Sequence, residues 1–338
     1  KKVLKRMELT WITFPLIVAL VSLLAYLAAY RLKGTDLLVN KIDAIDVDQT
    51  TGLARGRSWA TLFSPQNRDY DLAFLPTPID SGVEEPLAPE SAGDPPRPSA
   101  GVEVLTSWFG VPEAQFGGMG GANGRFSFAG SGYSYEPMNA WERLDHVRIP
   151  IWSTRTVGAR WFGPASTKVV DSDLSPVGFD RVGGTVTNLQ TFPMTDAVLA
   201  FDRRVYLLGE LAPGQTINVG LKSDRALSGE LRDRSKSLAA GDGGAARDQA
   251  GLVLAAMFHE GESRRTGQEQ PLGNSVLHDM DMTGQLVLDR PMLVALIKSP
   301  GTQLAVGNAP NPPRIEQTTV LRVILPLKKA GAETSAKP

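Results

Sequence analysis

An apolar run near the N-terminus constrains this chain more than any other feature. From Leu9 to Tyr30 the sequence has no charged residue, and a basic flank over 1–8 precedes it. About 20 apolar residues let an α-helix cross the hydrocarbon core of a bilayer, at about 1.5 Å per residue. The run therefore predicts a transmembrane helix over residues 9–32.

A cleavable signal peptide is the main alternative for this segment. Signal peptides usually have an apolar stretch of about 7–15 residues and end in a small-x-small cleavage site. The run here is longer, and it is followed by Arg31-Leu32-Lys33 rather than by such a site. Trp11 and Tyr26 lie near the two ends, where interfacial aromatic residues belong. We therefore predict a retained anchor.

Charges on the two sides of the run predict its orientation. Basic residues are more numerous before the run than after it, where Arg31 and Lys33 follow closely. Positive charge favours the cytoplasmic side of a membrane. We therefore expect a cytoplasmic N-terminus, with the bulk of the chain outside the cytoplasm. Because the chain begins with Lys-Lys, we also expect it to be part of a longer protein.

Composition excludes several functional classes. With 35 basic and 36 acidic residues, the formal net charge is -1, so no strong positive field attracts nucleic acid. The absence of cysteine excludes thiol catalysis, disulfides and zinc–thiolate sites. The 34 glycines and 24 prolines indicate many turns. We expect no nucleic-acid partner.

Alternating apolar and polar segments bounded by turn signals predict a mainly β fold. We predict a β-meander over 35–75, a β-sandwich region over 102–327 and a disordered tail over 328–338. The fold class is mainly β, with one or more immunoglobulin-like sandwich domains after the transmembrane helix. Residues 76–101 are rich in proline and acidic residues, and they form either a linker or an insertion.

One predicted strand has two contrasting faces. Between Leu53 and Phe63, large or charged residues alternate with small ones. A face of small residues suits close packing against another layer. The small face consists of Ala54, Gly56, Ser58 and Ala60.

A helical insert interrupts the strand pattern at about 228–262. Helical spacing of apolar residues predicts an amphipathic helix near 245–259, and a second helical stretch is expected near 228–239. The spaced residues are Ala246, Ala250, Val253 and Met257. Further strands are expected at 286–288, 292–297 and 319–327, with a proline-rich loop over 300–317.

Two segments carry a resemblance to a group of proteins. The first leads from Met7 to Pro15 into the apolar helix and continues as Val39-Asn40-Lys41-Ile42-Asp43, and the second runs from Gly184 to Gly214. The chain resembles the C-terminal part of large uncharacterised bacterial envelope membrane proteins that have an extracytoplasmic β-sandwich region. The resemblance implies a bacterial inner membrane location, with the bulk of the chain in the periplasm. It implies no catalytic residue.

The three histidines lie outside any complete motif. His259-Glu260 resembles the first half of a zinc-protease motif, but Ser263 stands where the second His is required. His278 precedes a segment that resembles a calcium loop, in which Arg290 replaces the bidentate Glu. We predict no metal site and no cofactor, and a hydrolase that uses a histidine is the least favoured function.

Other candidate sites have simpler structural explanations. The glycine-rich segment 117–124 lacks the Lys and Ser/Thr of a phosphate loop, so a surface loop is expected. We expect Asp43, Asp46 and Asp48 to be solvated charges at a strand edge rather than a cation site. No Gly-x-Ser-x-Gly elbow is present. We therefore predict no catalytic residue and no enzyme.

Two non-catalytic functions remain open. A membrane-anchored scaffold that docks envelope proteins fits the apolar run, the repeated strands and the balanced charge. A glycan- or small-ligand-binding module fits the aromatic residues of 108–161, although such residues more often fill a core. The second function requires exposed aromatic side chains among Trp108, Trp141, Trp152 and Trp161. We favour the scaffold, whose partners are the lipid bilayer through residues 9–32 and envelope proteins.

Overall fold

The chain is mainly β, with three sheets and few helices, in the computed structural model. The structure describes residues 10–33, 36–77, 102–108, 134–135, 143–165, 167–220, 223–239, 249–258 and 280–328. Several predictions fall outside these residues: those for 1–8, the proline-rich segment from 78 to 101, the glycines of 117–124, Trp141, His259, His278 and the tail from 329 onward.

The first element, α1, is an apolar helix that spans Thr10–Lys33 and contains Pro15. Its window Trp11–Ala28 has a mean hydropathy of 2.2, and none of that window is buried against the rest of the chain. Exposing apolar surface to water is unfavourable by about 25 cal/mol per Å². By length and composition α1 is able to cross a membrane, as the sequence predicts.

The strands and remaining helices follow in chain order. The strands are β1 (Leu38–Asp48), β2 (Leu53–Ser64), β3 (Arg68–Pro76), β4 (Glu103–Trp108), β5 (Ser134–Tyr135), β6 (Arg143–Ile149), β7 (Ser153–Pro164), β8 (Val170–Pro176), β9 (Val182–Asn188), β10 (Met194–Phe201), β11 (Arg204–Leu211), β12 (Thr216–Val219), β13 (Asp224–Ala226), β14 (Met292–Ile297), β15 (Thr302–Gly307) and β16 (Arg314–Ile324). The helices are α2 (Leu227–Ala239), α3 (Gln249–Met257) and α4 (Thr283–Leu286).

Sheet A, the largest sheet, has nine strands in the order β13-β11-β10-β14-β16-β1-β2-β7-β4. Sheet B has the order β15-β3-β6-β5, and sheet C has the order β12-β9-β8. Among the described strands, the pairing of β1 with β16 is parallel and the others are antiparallel. The parallel ladder extends from Leu38 opposite Arg314 to Asp48 opposite Ile324.

Strand β1 lies inside sheet A and is hydrogen-bonded to a neighbour on both sides, β16 and β2. Only residues 34–37 separate it from the end of α1. Leu37, the last of these, is buried. The apolar helix is therefore joined directly to the interior of the largest sheet.

The two faces of sheet A have different covers. On the sandwich side, residues such as Val39 and Leu62 share a core with Phe74 of sheet B and Val186 of sheet C. On the helix side, residues such as Ala44 pack with the helical region. The helical and loop members of this second core are Leu231, Leu254, Met257, Phe258, Met280, Met282 and Leu286.

The prediction for the small-residue face of β2 is confirmed. Ala54, Gly56, Ser58 and Ala60 are all buried on the sandwich side. Trp161 of β7 lies opposite Gly56, and its indole covers that glycine. An aromatic ring over a strand glycine fills the space that a side chain would otherwise occupy.

Strand β3 departs from the predicted meander. It pairs with β6 and β15 in sheet B, not with β2. The chain leaves sheet A at Ser64, whose hydroxyl is 2.7 Å from Tyr70 Oη and 2.6 Å from the Gln66 carbonyl oxygen. β1 pairs with β16, and β2 pairs with β7. Strands from the early and the late parts of the chain therefore lie together in sheet A.

The helical insert matches the prediction at α2 and α3, but the next segment does not. A strand is predicted at 286–288, whereas Leu286 ends α4 and is buried in the helix-side core. Val287 and Leu288 are exposed. The predicted loop over 300–317 also contains β15, which pairs with β3. Pairing with a distant strand has no local sequence signal.

Gly56→Ala tests the contact with Trp161. A Cβ at position 56 would lie 2.1 Å from Trp161 Cε2, so the ring must move. We expect a loss of about 1–3 kcal/mol in the free energy of unfolding, measured by chemical denaturation. The control is Gly220→Ala, where a Cβ would meet nothing within 4 Å. A Gly56→Ala protein as stable as the control would contradict the packing.

Candidate functional site

The aspartates of β1 are the first candidate, and their predicted solvation is wrong for two of them. Asp43 is 1% exposed and Asp46 is 9% exposed. The two point to opposite faces of the strand, Asp43 into the sandwich core and Asp46 toward the helix side. Each has a cationic partner, because a buried carboxylate without one is strongly unfavourable.

Lys41 and Asp43 form an ion pair inside the sandwich core. Their Nζ and Oδ2 atoms are 2.5 Å apart, and both side chains are 1% exposed. Asp43 Oδ2 also accepts hydrogen bonds from the backbone N–H groups of Gly301, at 2.9 Å, and Thr302, at 3.3 Å. Lys41 donates to the carbonyl oxygen of Thr302. The pair therefore fastens β1 to the start of β15, across two sheets.

The polar groups of this cluster hydrogen-bond to one another. Thr302 Oγ1 donates to Asp43 Oδ1 at 3.2 Å and lies 2.9 Å from Ser58 Oγ. A Cβ on Gly301 would lie 2.9 Å from Ile45 Cγ1, which shows how tightly the backbone approaches. Burial lowers the pKa of Lys41, and the charge and hydrogen bond of Asp43 oppose that shift. The charged atoms of Lys41 and Asp43 make their hydrogen bonds to each other and to Gly301 and Thr302, so we interpret the arrangement as structural.

Asp46 belongs to a second cluster, on the helix side. Its Oδ1 accepts from Arg322 Nε, and its Oδ2 accepts from Arg55 Nε at 2.9 Å. Arg322 is 2% exposed and also donates to the carbonyl oxygen of Met280 at 2.8 Å. The cluster joins β16, β1 and β2 to the segment that leads into α4.

Asp48 lies in the turn between β1 and β2. Its Oδ1 accepts from the Thr50 backbone N–H at 2.8 Å, and its Oδ2 is 3.3 Å from Arg290 Nη1. Partial burial alone would raise the pKa of Asp48, but the hydrogen bonds from Thr50 and Thr51 outweigh it and lower the pKa. Arg290, considered as a calcium-loop position, therefore pairs with a carboxylate of the β1–β2 turn.

The one histidine in the described residues, His146, is exposed and has a positive φ of 59°. Its backbone N–H donates to Asp71 Oδ1 at 3.0 Å, while Asp71 Oδ2 is 2.7 Å from Asn308 Nδ2 and pairs with Arg143. Within the described ranges no group of three His, Asp or Glu side chains is able to hold a metal ion.

A shallow cleft of about 490 Å³ opens between the edges of sheets A and C. Its walls come from β11, β12 and β13, and the ionisable residue among them is Arg225, which is 3.2 Å from Glu230. Among the described lining residues no acidic side chain stands beside a base. The lining residues are Leu207, Leu208, Ile217, Asn218, Gly220, Ser223 and Arg225.

The described tryptophans do not favour a glycan-binding module, which requires exposed aromatic side chains. Trp161 is only 6% exposed and belongs to the sandwich core. Trp152 is half-buried, with a φ of 58°. Trp141 and the side chain of Trp108 lie outside the described structure. Core packing, the commoner role of such residues, is confirmed for Trp161.

Lys41→Met tests whether the sandwich-core pair is structural. Removing the cation leaves Asp43 buried and unpaired, so we expect a loss of about 3–5 kcal/mol in the free energy of unfolding. In the double variant Lys41→Met/Asp43→Asn, the amide oxygen still accepts from Gly301 and no charge is buried. We expect the double variant to recover most of the loss in urea denaturation. A double variant less stable than the single one would contradict this.

Comparisons with known proteins identify no function. A family profile described as a domain of unknown function (DUF8725) matches residues 169–324. No curated protein matches the chain. Among solved structures, the yeast delta-COP-I mu-homology domain is similar over 87% of this chain and 98% of its own, with 8% identity and a TM-score of 0.35. The same domain complexed with a Dsl1 WxWxV peptide covers 86% and 95%, with 6% identity and a TM-score of 0.33. Likeness at this level carries no argument about this chain.

Proposed function

We propose that this chain is a membrane-anchored, non-catalytic scaffold that docks envelope proteins on the periplasmic side of a bacterial inner membrane. The observation that carries the proposal is the exposed apolar helix joined through residues 34–37 to the interior of a nine-stranded sheet. A force on the helix is transmitted to β1, which is hydrogen-bonded to β16 on one side and to β2 on the other. The buried charge clusters serve this rigidity rather than chemistry.

Facing sheets support the immunoglobulin-like part of the proposal. Sheets B and C pack against sheet A over one shared core, as the two sheets of a sandwich do. Sheet A is larger than one sheet of an immunoglobulin-like sandwich, because it has nine strands and includes the parallel β1–β16 pair. We regard this sandwich as the platform and α1 as its membrane anchor.

The β8–β9 hairpin offers an apolar tip suited to a protein partner. Phe179 is fully exposed and Val177 is 50% exposed. The tip is held by the Val177 N–H bond to the Arg181 carbonyl oxygen, at 2.8 Å, and by Asp180 Oδ2 on Arg204 Nε, at 2.9 Å. An aromatic side chain on a fixed loop is a common anchor of protein interfaces. Phe179 is therefore our candidate docking residue.

Single-cysteine labelling tests the anchor and its orientation. Because the chain has no cysteine, Thr51→Cys in the exposed β1–β2 turn gives one reporter. In intact spheroplasts we expect a membrane-impermeant maleimide to label this cysteine, and alkaline carbonate to leave the chain in the membrane fraction. Labelling only after lysis would contradict the orientation, and release by carbonate would contradict the anchor.

Photocross-linking at the hairpin tip tests docking. With a photoreactive amino acid in place of Phe179, we expect one reproducible protein adduct of defined mass in cell membranes. The adduct should be lost when Val177→Asp puts a charge beside the tip. The matched control is the same amino acid at Leu189, which is also exposed but lies after β9. Equal adducts at both positions, or none at position 179, would contradict docking at the tip.

A further inference from the structure

One edge of sheet C, formed by β12, has unpaired backbone groups. Asn188 of β9 directs both of its backbone groups toward β12: its N–H donates to the Gln215 carbonyl oxygen at 3.0 Å, and its C=O accepts from the Gly214 N–H at 2.9 Å. Bonding residues alternate along an antiparallel strand, so Val186, opposite Ile217, also faces β12. The two neighbours of Ile217 therefore direct their N–H and C=O groups away from β9.

These neighbours are Thr216 and Asn218, and both are exposed. In the part of the chain that the structure describes, their outward backbone groups have no hydrogen-bond partner. Natural sheet edges that stay unpaired usually carry proline or charged side chains, which discourage another strand from pairing. The sequence of β12, Thr-Ile-Asn-Val, has neither. The edge is therefore open to strand pairing.

The opposite edge of sheet C is covered by its own chain. On β8, Gln49 Nε2 donates to the Val170 carbonyl oxygen at 2.9 Å, and Gln49 Oε1 accepts from the Val170 N–H at 3.0 Å. The Lys328 N–H donates to the Leu174 carbonyl oxygen at 2.9 Å. The strand ends at Pro176, which has no N–H to offer. The two edges of this small sheet are thus treated differently, and β12 is the one whose outward groups lack a described partner.

A cleft of about 490 Å³ lies beside the unpaired edge. β11 and β12 follow each other in the chain but belong to different sheets, and the cleft opens between them. Leu207, Leu208 and Ile217 contribute apolar walls. Arg225, the ionisable residue of the lining, is already paired with Glu230 at 3.2 Å. The cleft therefore suits uncharged, apolar side chains.

We propose that this edge binds an extended segment of a partner protein as a fourth strand of sheet C. The outward backbone groups of Thr216 and Asn218 pair with the backbone of the segment, and its alternate apolar side chains enter the cleft beside Leu208 and Ile217. Partial charges alternate along the edge, and an extended backbone carries the complementary alternation. The site is separate from Phe179 and does not depend on the membrane anchor.

A single segment fits this edge better than a second folded copy does. Paired strands lie about 4.7–4.9 Å apart, so the partner strand has to enter the cleft between β11 and β12. The Leu207 N–H bonds to the Ser223 carbonyl oxygen at 3.2 Å, which joins β11 to the segment ahead of β13 at this cleft. A folded copy would bring its own β11 against these walls. The occupant is therefore one extended segment with apolar residues at every second position.

A synthetic peptide tests strand addition to the full chain in detergent micelles. The probe has leucines at alternate positions separated by threonines, a lysine at each end for solubility, and a fluorescent label. We expect saturable binding, measured by fluorescence anisotropy, and slower deuterium exchange in the segment that contains Thr216 and Asn218. The control is the same peptide with N-methylated backbone amides, which keeps the side chains but has no N–H to donate. It should bind at least about fivefold more weakly.

Two substitutions at one position separate the backbone from the side chain. Asn218→Pro removes an outward N–H and leaves the inward bonds of Ile217 and Val219 in place, as proline on an edge strand allows. We expect the affinity for the peptide to fall about fivefold or more, for the loss of one hydrogen bond. The matched control Asn218→Ala keeps the N–H and should bind normally. Chemical denaturation checks both folds, and if Asn218→Pro does not fold, the N-methylated peptide decides.

Several results would overturn the proposal. One is the absence of binding at millimolar peptide, and another is equal binding of the N-methylated peptide, which means apolar adsorption. An equal loss in Asn218→Ala and Asn218→Pro assigns the binding to the side chain. Slower exchange in β15 without a change in β12 places the peptide at another sheet edge. Self-association of the chain that Asn218→Pro abolishes, without peptide binding, assigns the edge to a second copy.

Discussion

The parallel pairing of β1 with β16 is the constraint on which the rest of the structure depends. It joins the strand nearest the apolar helix to the last strand of the described chain, from Leu38 opposite Arg314 to Asp48 opposite Ile324. Every other strand of sheet A is attached to one side or the other of this pair. The two strands are far apart in the sequence, so this part of sheet A forms only when both are present. A non-local pairing of this kind is slow to form, because loop-closure entropy is lost before the contacts are gained.

Two buried charge clusters make that pairing specific. They use alternate faces of one strand: Lys41 and Asp43 fasten β1 to Thr302 in the sandwich core, while Asp46 and Arg322 fasten β1 to β16 on the helix side. A buried ion pair is weak evidence for net stability, but a one-residue slip would put each charge on the wrong face without its partner. Both clusters therefore disfavour a shifted register of β1. A chain with no cysteine has no disulfide to do so.

In the scaffold that we propose, the interior of sheet A is joined to an apolar helix that is able by length and composition to cross a membrane. The described polar clusters are closed, and the shallow cleft of about 490 Å³ is lined by one ionisable residue, Arg225. The described surface does offer an exposed apolar side chain at a hairpin tip, Phe179. Phe179 lies near the end of the domain away from the start of β1. Protein docking at this tip is compatible with the anchored scaffold that we propose.

The sequence alone determined the features that depend on local periodicity. An uncharged run of about 20 residues predicts a helix long enough to span a membrane, and the alternation from Ala54 to Ala60 puts small residues on one face of a strand. The same reasoning gave the helices at α2 and α3. Only the tertiary structure decided which strands pair. The transfer of β3 to sheet B, the presence of β15 and the burial of Asp43 depend on residues more than 200 positions apart. Sequence spacing predicted solvated aspartates because a surface charge is the commoner case, and their buried partners Thr302 and Arg322 come next to them only when the chain closes on itself.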